Sequence, residues 1–270
     1  MAKAFYVDVS HCVGCYNCQL ACKDEHAGND WLPYAKAQPD TGQFWLKIEE
    51  HVRGTIPKVK MHYVPRLCGH CENAACVAAC KHEAIARRDD GLLLIDPEKC
   101  KGCRKCVDAC AYGAVYFNEE EKIAQKCTGC AHLIDVGEEP RCVQACVTEC
   151  LRFGEESEMK DLLKGAEELL PDSGYGARAY YSGIPGRFVA GTIYDPKEKE
   201  VVIGAKVELT DKDGKTKKAQ TDAFGDFWFK DLPEGKSYTV TIRAKGFADK
   251  VIKNVSTKTD ANLGDVPLKK

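Results

Sequence analysis

The sequence predicts an α+β protein of two parts, a cysteine-rich domain that binds metal and a small all-β sandwich. Three observations support this prediction. All 17 cysteines lie within residues 1–150, a density typical of a metal or disulfide scaffold. Residues 188–270 contain no cysteine, and their apolar residues recur with a period of two. The net charge of −2 gives no support to nucleic-acid binding.

Sixteen of the cysteines form four groups of four, and the first and third groups have the spacing of bacterial ferredoxins. The groups are Cys12-Cys15-Cys18-Cys22, Cys68-Cys71-Cys76-Cys80, Cys100-Cys103-Cys106-Cys110 and Cys127-Cys130-Cys142-Cys146. Structural zinc uses Cys-x2-Cys pairs separated by longer loops, so zinc is the weaker interpretation, and a disulfide scaffold is weaker still. Since each cube takes four thiolates, the sequence predicts four [4Fe–4S] clusters.

An internal repeat predicts how these ligands are shared. The third group follows the first at a constant offset of 88 residues, which indicates two ferredoxin-like units, one nested inside the other. In such units the fourth cysteine of each group binds the neighbouring cluster. This rule gives cluster A (Cys12, Cys15, Cys18, Cys146), cluster B (Cys22, Cys127, Cys130, Cys142), cluster C (Cys68, Cys71, Cys76, Cys110) and cluster D (Cys80, Cys100, Cys103, Cys106).

The segments between the cysteine groups are predicted to enclose the clusters. Residues 84–96 place an Asp-Gly pair between two apolar stretches, which predicts a β-hairpin, and residues 114–126 predict a second one. Residues 23–67 interrupt the outer unit. The strand-like residues 43–48 within this insertion predict a cover over a cluster or a face for a partner, although core packing explains them equally well.

Side chains next to the ligands are candidates for tuning the clusters. Five of the basic residues beside cysteines are candidates for raising reduction potentials, although for any one of them a solvated loop is the simpler interpretation. They are Lys101, Arg104, Lys105, Lys126 and Arg141. His11, His70 and His82 also neighbour cysteines, and we expect them to pack around the ligands rather than to bind iron. Cys150 is left over and is predicted to be a small buried apolar residue.

The region from residue 151 to residue 187 is predicted to be a helix and a linker that contact a partner. Apolar residues from Met159 to Leu170 have helical spacing, and Pro171 ends the pattern. Residues 172–186 are rich in glycine and tyrosine, which is typical of a linker lying along a partner's surface. In residues 188–270 the alternating pattern predicts the sandwich, a docking or stabilising module without a catalytic set.

Targeting signals are not evident in the sequence. The first residues do not form a signal peptide, and no stretch approaches ~18 apolar residues, so we expect no membrane span. A cytoplasmic location is therefore expected, where many thiols indicate metal binding. Export together with a partner that carries its own signal stays open.

The four cysteine groups in this order, with eleven residues between Cys130 and Cys142, resemble the iron–sulfur β subunits of the molybdopterin (dimethyl sulfoxide reductase-type) oxidoreductases. Within this family, residues 34–54, residues 68–76 and the attached sandwich resemble the branch of small subunits from pyrogallol–phloroglucinol transhydroxylase and related phenol hydroxylases. The sandwich itself resembles transthyretin-like or carboxypeptidase-regulatory-like domains.

The resemblance implies an electron-transfer subunit without catalytic residues of its own. It implies a large catalytic partner that holds molybdopterin with Mo or W and acts on a hydroxylated aromatic compound, and an external redox carrier that exchanges electrons with the complex. Two alternatives remain open. One is the β subunit of a respiratory molybdoenzyme for arsenate, tetrathionate or polysulfide, and the other is a free-standing polyferredoxin.

Overall fold

The computed structural model describes residues 2–270, and the chain divides into two units. The first unit runs to Glu50 and resumes at His62–Ile184, whereas the second comprises His51–Met61 and Pro185–Lys270. Residues 51–61, from the predicted insertion, are therefore grouped with the sandwich residues. No helix in residues 2–270 is long and apolar enough to span a membrane.

The first unit contains short strands and short helices arranged around the cysteine loops. Its strands are β1 (Lys3–Asp8), β2 (Leu46–Thr55), β3 (Lys58–Leu67), β4 (Ile85–Arg87), β5 (Leu93–Ile95), β6 (Val115–Asn118), β7 (Ile123–Lys126), β8 (Leu151–Glu155) and β9 (Ala179–Ser182). The turn that joins β2 to β3 belongs to the second unit. Its helices are α1 (Asn17–His26), α2 (Ala75–Ala78), α3 (Lys105–Ala109), α4 (Ala131–Ile134), α5 (Arg141–Gln144) and α6 (Lys160–Leu163). Two 3₁₀ turns occupy Val9–His11 and Pro171–Ser173.

Both predicted hairpins are confirmed. Strands β4 and β5 pair antiparallel with Ile85 opposite Ile95, and β6 and β7 pair with Val115 opposite Lys126. Their apolar residues, including Leu93, pack in one cluster with cysteines from the second and third groups. The hairpins therefore supply apolar walls beside the thiols.

The cysteine loops of the first and third groups share an unusual backbone. Gly14 and Gly102 have φ values of 66° and 67°, and Tyr16 and Arg104 have φ values of 63° and 61°. Left-handed conformations are uncommon for residues other than glycine. Each pair is separated by 88 residues, so the sequence repeat is also a repeat of local conformation. Helix α1 begins directly after the first loop and α3 after the second.

The predicted helix over 159–170 is wrong in length. Helix α6 ends at Leu163 after one turn, and Gly165 follows with φ +81°. The backbone groups of Glu167 and Tyr181 then form two hydrogen bonds of 2.9 and 2.7 Å. These bonds hold Glu167 against β9, so its amide is not available to continue the helix.

The predicted linker is also more ordered than expected. Strand β1 pairs antiparallel with β8 and parallel with β9, with Tyr6 opposite Arg152 on one side and Tyr180 on the other. Residues 151–182 therefore close the sheet that begins the chain. Parallel pairing of β1 with β9 joins residues far apart in sequence, which local patterns do not indicate.

The second unit contains two four-stranded sheets. The strands are β10 (Arg187–Asp195), β11 (Glu200–Val201), β12 (Lys206–Thr210), β13 (Thr216–Gln220), β14 (Asp226–Leu232), β15 (Ser237–Arg243), β16 (Lys250–Ser256) and β17 (Ala261–Pro267). In one sheet β10 pairs with β11, β14 and β17, and the other has the order β13-β12-β15-β16. Val207 and Val240 share a core with Ile193 and Phe227 from the other sheet, which confirms the predicted sandwich.

The turn between β2 and β3 packs against strands of the sandwich within the second unit. The Lys58 ammonium pairs with the Asp226 carboxylate, although Lys58 is only 4% exposed. Asn262 donates a 3.1 Å hydrogen bond to the carbonyl oxygen of Thr55. Residues 51–61 thus stabilise the sandwich, a role that the sequence did not indicate.

Candidate metal centres

All 17 cysteines are free thiols in the structure. We call the four thiols assigned to cluster A quartet A, and use quartets B, C and D in the same way. The sequence rule takes the members of each quartet from two different cysteine groups, so the position of the fourth cysteine in each group tests the rule most directly.

Quartet A draws its thiols from both ends of the cysteine-rich region. Burial raises the pKa of the Cys18 thiol to about 12, and the neighbouring charges of Cys146, Cys12 and Cys15 contribute to the same shift. Cys18 lies on α1, whereas Cys146 follows α5. The fourth cysteine of the last group therefore lies with three cysteines of the first group.

Quartet B is the most buried set. Burial raises the pKa of Cys142 well above its ordinary value, and the charges of Cys22, Cys130 and Cys127 add to the increase. The fourth cysteine of the first group thus lies with three cysteines of the last group, because helices α1 and α5 pack against each other.

Quartet C has the same exchanged arrangement in the inner unit. Burial raises the pKa of Cys71 to about 12, with further contributions from Cys68, Cys76 and Cys110. Cys110 ends the third group, whereas the other three belong to the second. Helices α2 and α3, which carry cysteines of these groups, are in contact.

Quartet D lines one cavity. Cys80, Cys100, Cys103 and Cys106 surround an empty volume of about 320 Å³ that includes some open solvent. The rest of its wall includes His82, Lys101, Arg104 and apolar residues of β4 and β5. The same four thiols are those that the exchange rule assigns to cluster D.

Electrostatic interactions between thiols of different quartets indicate the order A, B, C, D. The charge of Cys18 of quartet A contributes to the raised pKa of Cys22 of quartet B. The charge of Cys68 of quartet C contributes in the same way to the pKa of Cys127 of quartet B. In quartet D, the pKa of Cys106 is raised in part by the charge of Cys76 of quartet C. Cys15 and Cys103, at the two ends of this series, are exposed.

The donor set fits iron–sulfur clusters. Soft thiolate ligands in sets of four are the usual ligands of a [4Fe–4S] cube. Among residues 2–270, no three His, Cys, Asp or Glu side chains converge on a position for a single metal ion. Buried thiols with raised pKa values are protonated at neutral pH, so cluster binding displaces their protons.

Backbone amides of the hairpins donate to ligand sulfurs. The amide of Ala114 lies 3.4 Å from Cys110 Sγ, and that of Ala124 lies 3.4 Å from Cys100 Sγ. Such hydrogen bonds favour the more negative, reduced state of a cluster. The β6–β7 hairpin therefore provides both an apolar wall and donors.

Histidines near the cysteines have different roles. His70 is 1% exposed, and its Nδ1 accepts a 2.9 Å hydrogen bond from the Leu93 amide. Burial holds the pKa of His70 well below its usual value, so the neutral ring carries its proton on Nε2. The buried Nε2–H group of His70 has no hydrogen-bond acceptor among residues 2–270. A sulfide-containing group bound beside quartet C would provide one. His11 pairs instead with Asp8 at 2.8 Å.

The basic residues divide into exposed and buried ones. Lys101, Arg104 and Lys105 are exposed, and Arg104 pairs with Glu119 at 2.6 Å, as expected of a solvated loop. By contrast, Lys126 is almost fully buried.

Three side chains near quartet B were not identified from the sequence. His26 Nε2 lies 3.8 Å from Cys130 Sγ. Glu25 accepts from Arg141 at 2.7 Å and contacts His132 at 2.9 Å. His26 follows Cys22 by one helical turn, which was a usable signal, but the contact with Cys130 spans 104 residues and had none.

Cys150 is buried beside quartet A. Its Sγ lies 3.5 Å from Cys146 Sγ. A hydrogen bond from its thiol also lowers the pKa of Cys12 to about 6. The predicted burial of this residue is therefore confirmed, and its contacts are with two members of the quartet.

Known proteins resemble both parts of the chain. A family model described as a 4Fe-4S dicluster domain matches residues 59–156, and one described as a carboxypeptidase regulatory-like domain matches residues 189–269. The pyrogallol hydroxytransferase small subunit of Pelobacter acidigallici is 39% identical over 91% of this chain and 93% of its own length. A tetrathionate reductase subunit of Salmonella typhimurium is 31% identical over 69% of this chain and 74% of its own length. The arsenate respiratory reductase iron–sulfur subunit of a Shewanella species is 30% identical over 67% of this chain and 96% of its own length.

Proposed function

Because the chain belongs to the iron–sulfur β subunits of the molybdopterin (dimethyl sulfoxide reductase-type) oxidoreductases, we propose that it binds four [4Fe–4S] clusters through quartets A to D. It is an electron-transfer subunit, and catalysis in such complexes belongs to another subunit. The observation that carries the proposal is the convergence of thiols from distant segments into four sets of four.

The proposed architecture is a pair of nested ferredoxin-like units. Two features support it. The loops around Gly14 and Gly102 repeat the same backbone conformation at the offset of the cysteine repeat. In addition, the fourth cysteine of each group lies with three thiols of the paired group, as the ligand exchange of two-cluster ferredoxins requires.

Electrons are proposed to pass along the clusters in the order A, B, C, D or in reverse. Each cluster supplies a site that gains and loses one electron. The protein's contribution is to hold adjacent quartets in contact and to exclude water with buried apolar side chains. The exposed Cys15 and Cys103 mark the two ends where electrons enter and leave.

The end at quartet A fits a permanent partner. Val13, Leu20 and Val147 are 61%, 58% and 67% exposed, and each lies within two residues of a quartet A cysteine. Exposed apolar side chains beside a proposed cluster favour a protein–protein interface. We propose that the large molybdopterin-containing subunit, with Mo or W, docks here.

The end at quartet D has a different character. Lys101 and Lys105 are exposed beside Cys103, and the cavity wall includes Arg104. A cationic surface fits an acidic redox protein that binds transiently. We propose that the external redox carrier docks at this end, in the cytoplasm.

A hydroxylated aromatic compound is the proposed substrate of the complex. The support is the match to a pyrogallol hydroxytransferase small subunit, which extends over 91% of this chain. The respiratory alternative is supported by the matches to subunits of tetrathionate and arsenate reductases, which extend over 69% and 67% of this chain. A free-standing polyferredoxin would not need the apolar surface at quartet A.

The deciding experiment is anaerobic purification from native extract followed by metal analysis. We expect about sixteen iron atoms per chain and four reducible [4Fe–4S] signals by electron paramagnetic resonance. A larger subunit containing molybdopterin should co-elute, and its activity should be assayed with phenols, arsenate and tetrathionate. A chain that contains only zinc would overturn the proposal, and elution as a lone chain would favour the free polyferredoxin.

A further inference from the structure

Lys126 carries a buried positive charge without a buried negative partner. It is the last residue of β7 and is 2% exposed. Its ammonium donates to the carbonyl oxygens of Leu93 at 2.5 Å and Cys127 at 3.0 Å. Both acceptors are neutral, and no carboxylate in residues 2–270 pairs with it.

Another buried lysine shows what is missing at this position. Lys58 is 4% exposed, and its ammonium pairs with the carboxylate of Asp226. Transferring an ammonium from water into a protein is costly unless a negative charge compensates it. Two carbonyl dipoles satisfy hydrogen bonds of Lys126 but do not neutralise its charge.

The cysteines around Lys126 belong to two quartets. Its ammonium donates to the carbonyl oxygen of Cys127 of quartet B, and its other acceptor, Leu93, packs in one apolar cluster with Cys76 of quartet C. Strand β7, which ends at Lys126, also contacts β5. The ammonium therefore lies between quartets B and C, at the centre of the A to D series.

We propose that Lys126 is the internal counter-ion of clusters B and C and raises the reduction potentials of both. The inference rests on the proposed function, because it needs clusters in these quartets. A [4Fe–4S] cube with four thiolates carries about −2 when oxidised and about −3 after it accepts one electron. A fixed positive charge stabilises the more negative state, so reduction becomes easier. No proton is transferred, and the electron comes from the neighbouring cluster or an added reductant.

The test compares three replacements of the same side chain in the anaerobically purified full complex. Lys126→Met removes the charge and keeps the length, Lys126→Gln keeps a donor without charge, and Lys126→Arg keeps the charge. Lys81→Met is the matched control, because Lys81 is exposed and also adjoins a proposed ligand, Cys80. Each variant is titrated with dithionite while electron paramagnetic resonance follows the clusters.

We expect two of the four midpoint potentials to fall in Lys126→Met and in Lys126→Gln. The expected change is at least tenfold in the reduction equilibrium, which equals ~59 mV for a one-electron couple. The potentials of Lys126→Arg should stay near those of the wild type, and those of Lys81→Met should change much less than those of the neutral Lys126 variants. Unchanged potentials in both neutral variants, with all clusters present, would overturn the inference and leave the proposed function intact.

Cluster loss in a variant is also informative. If both neutral variants lose clusters B and C while Lys126→Arg retains them, the charge is required for assembly and the counter-ion role is supported. If Lys126→Arg loses the same clusters, the shape of lysine matters rather than its charge, and the inference fails. Wild-type protein without four clusters would instead refute the proposed function.

Discussion

The Sγ atoms of Cys146 and Cys150 lie 3.5 Å apart, so a quartet A thiol has a cysteine neighbour that the assignment leaves without a cluster. Both lie in the segment that follows α5, and Cys150 is also hydrogen-bonded to Cys12. The two cysteines therefore form a matched pair for testing which thiols bind iron.

Replacing Cys150 with alanine should leave the iron content at about sixteen atoms per chain, because four ligands of cluster A remain. Replacing Cys146 with alanine should remove one cluster, about four iron atoms. Iron and sulfide analysis of anaerobic samples gives both values. Full iron content in Cys146→Ala would show instead that Cys150 takes the vacated place.

The exchange of fourth cysteines can be tested without prior assignment of any spectrum. Cys80 belongs to the second group in sequence but lines the cavity of Cys103. We therefore expect Cys80→Ala and Cys103→Ala to abolish the same electron paramagnetic resonance signal, and Cys76→Ala to abolish a different one. If Cys80→Ala and Cys76→Ala removed the same signal, each group would serve its own cluster.

The exposed apolar residues at quartet A predict where the large partner docks. Val147→Asp places a charge in the proposed interface, where it would be buried without a partner on docking. We expect the complex to dissociate at least tenfold more readily, measured by co-purification over a dilution series. Val136→Asp is the control, because Val136 is 72% exposed but outside the segments that carry quartet A. Equal loss of binding in both variants would contradict this location.

The pair between Lys58 and Asp226 predicts that the β2–β3 turn stabilises the sandwich. In Lys58→Met the Asp226 carboxylate loses its ionic partner, and we expect local stability to fall by about 1–3 kcal/mol. Hydrogen exchange of β14 amides in the full chain should become correspondingly faster. Lys217→Met, at an exposed position on β13, should leave these rates unchanged. No difference between the two variants would mean that the turn contributes little.

Removal of iron should affect the two units differently. The first unit would retain buried thiols and the cavity at quartet D without ligation energy, whereas the sandwich has its own apolar core and no cysteine. After anaerobic chelation we expect loss of exchange protection in β4 to β7 and continued protection in β12 and β15. Equal loss in both units would show that the sandwich depends on the clusters.

Local spacing explains what the sequence could predict. Three cysteines in seven residues define a cluster loop by themselves, and alternation from Ala205 to Leu209 defines a strand. The helix from Met159 was predicted too long because its end depends on the bonds between Glu167 and Tyr181. Contacts between distant segments decide such cases, and single-sequence patterns do not contain them.

The same limit applies at the candidate site. The proposed ligands and their proposed sharing come from a motif rule, but the contact of His26 with Cys130 and the burial of Lys126 depend on how β7 and α1 pack. Lys126 could not be separated in sequence from Lys101 or Lys105, because all three adjoin cysteines. Burial, which distinguishes them, is a property of the folded chain.

The proposed nesting of the quartets has a consequence for biogenesis. The thiols of quartets C and D lie within residues 68–110, so a nascent chain can complete this inner pair before its synthesis ends. The outer pair cannot be completed then, because Cys12 to Cys22 need partners from residues 127–146 that emerge from the ribosome much later. Iron should therefore enter the inner pair first, and the earliest cysteines translated should be the last to become fully ligated.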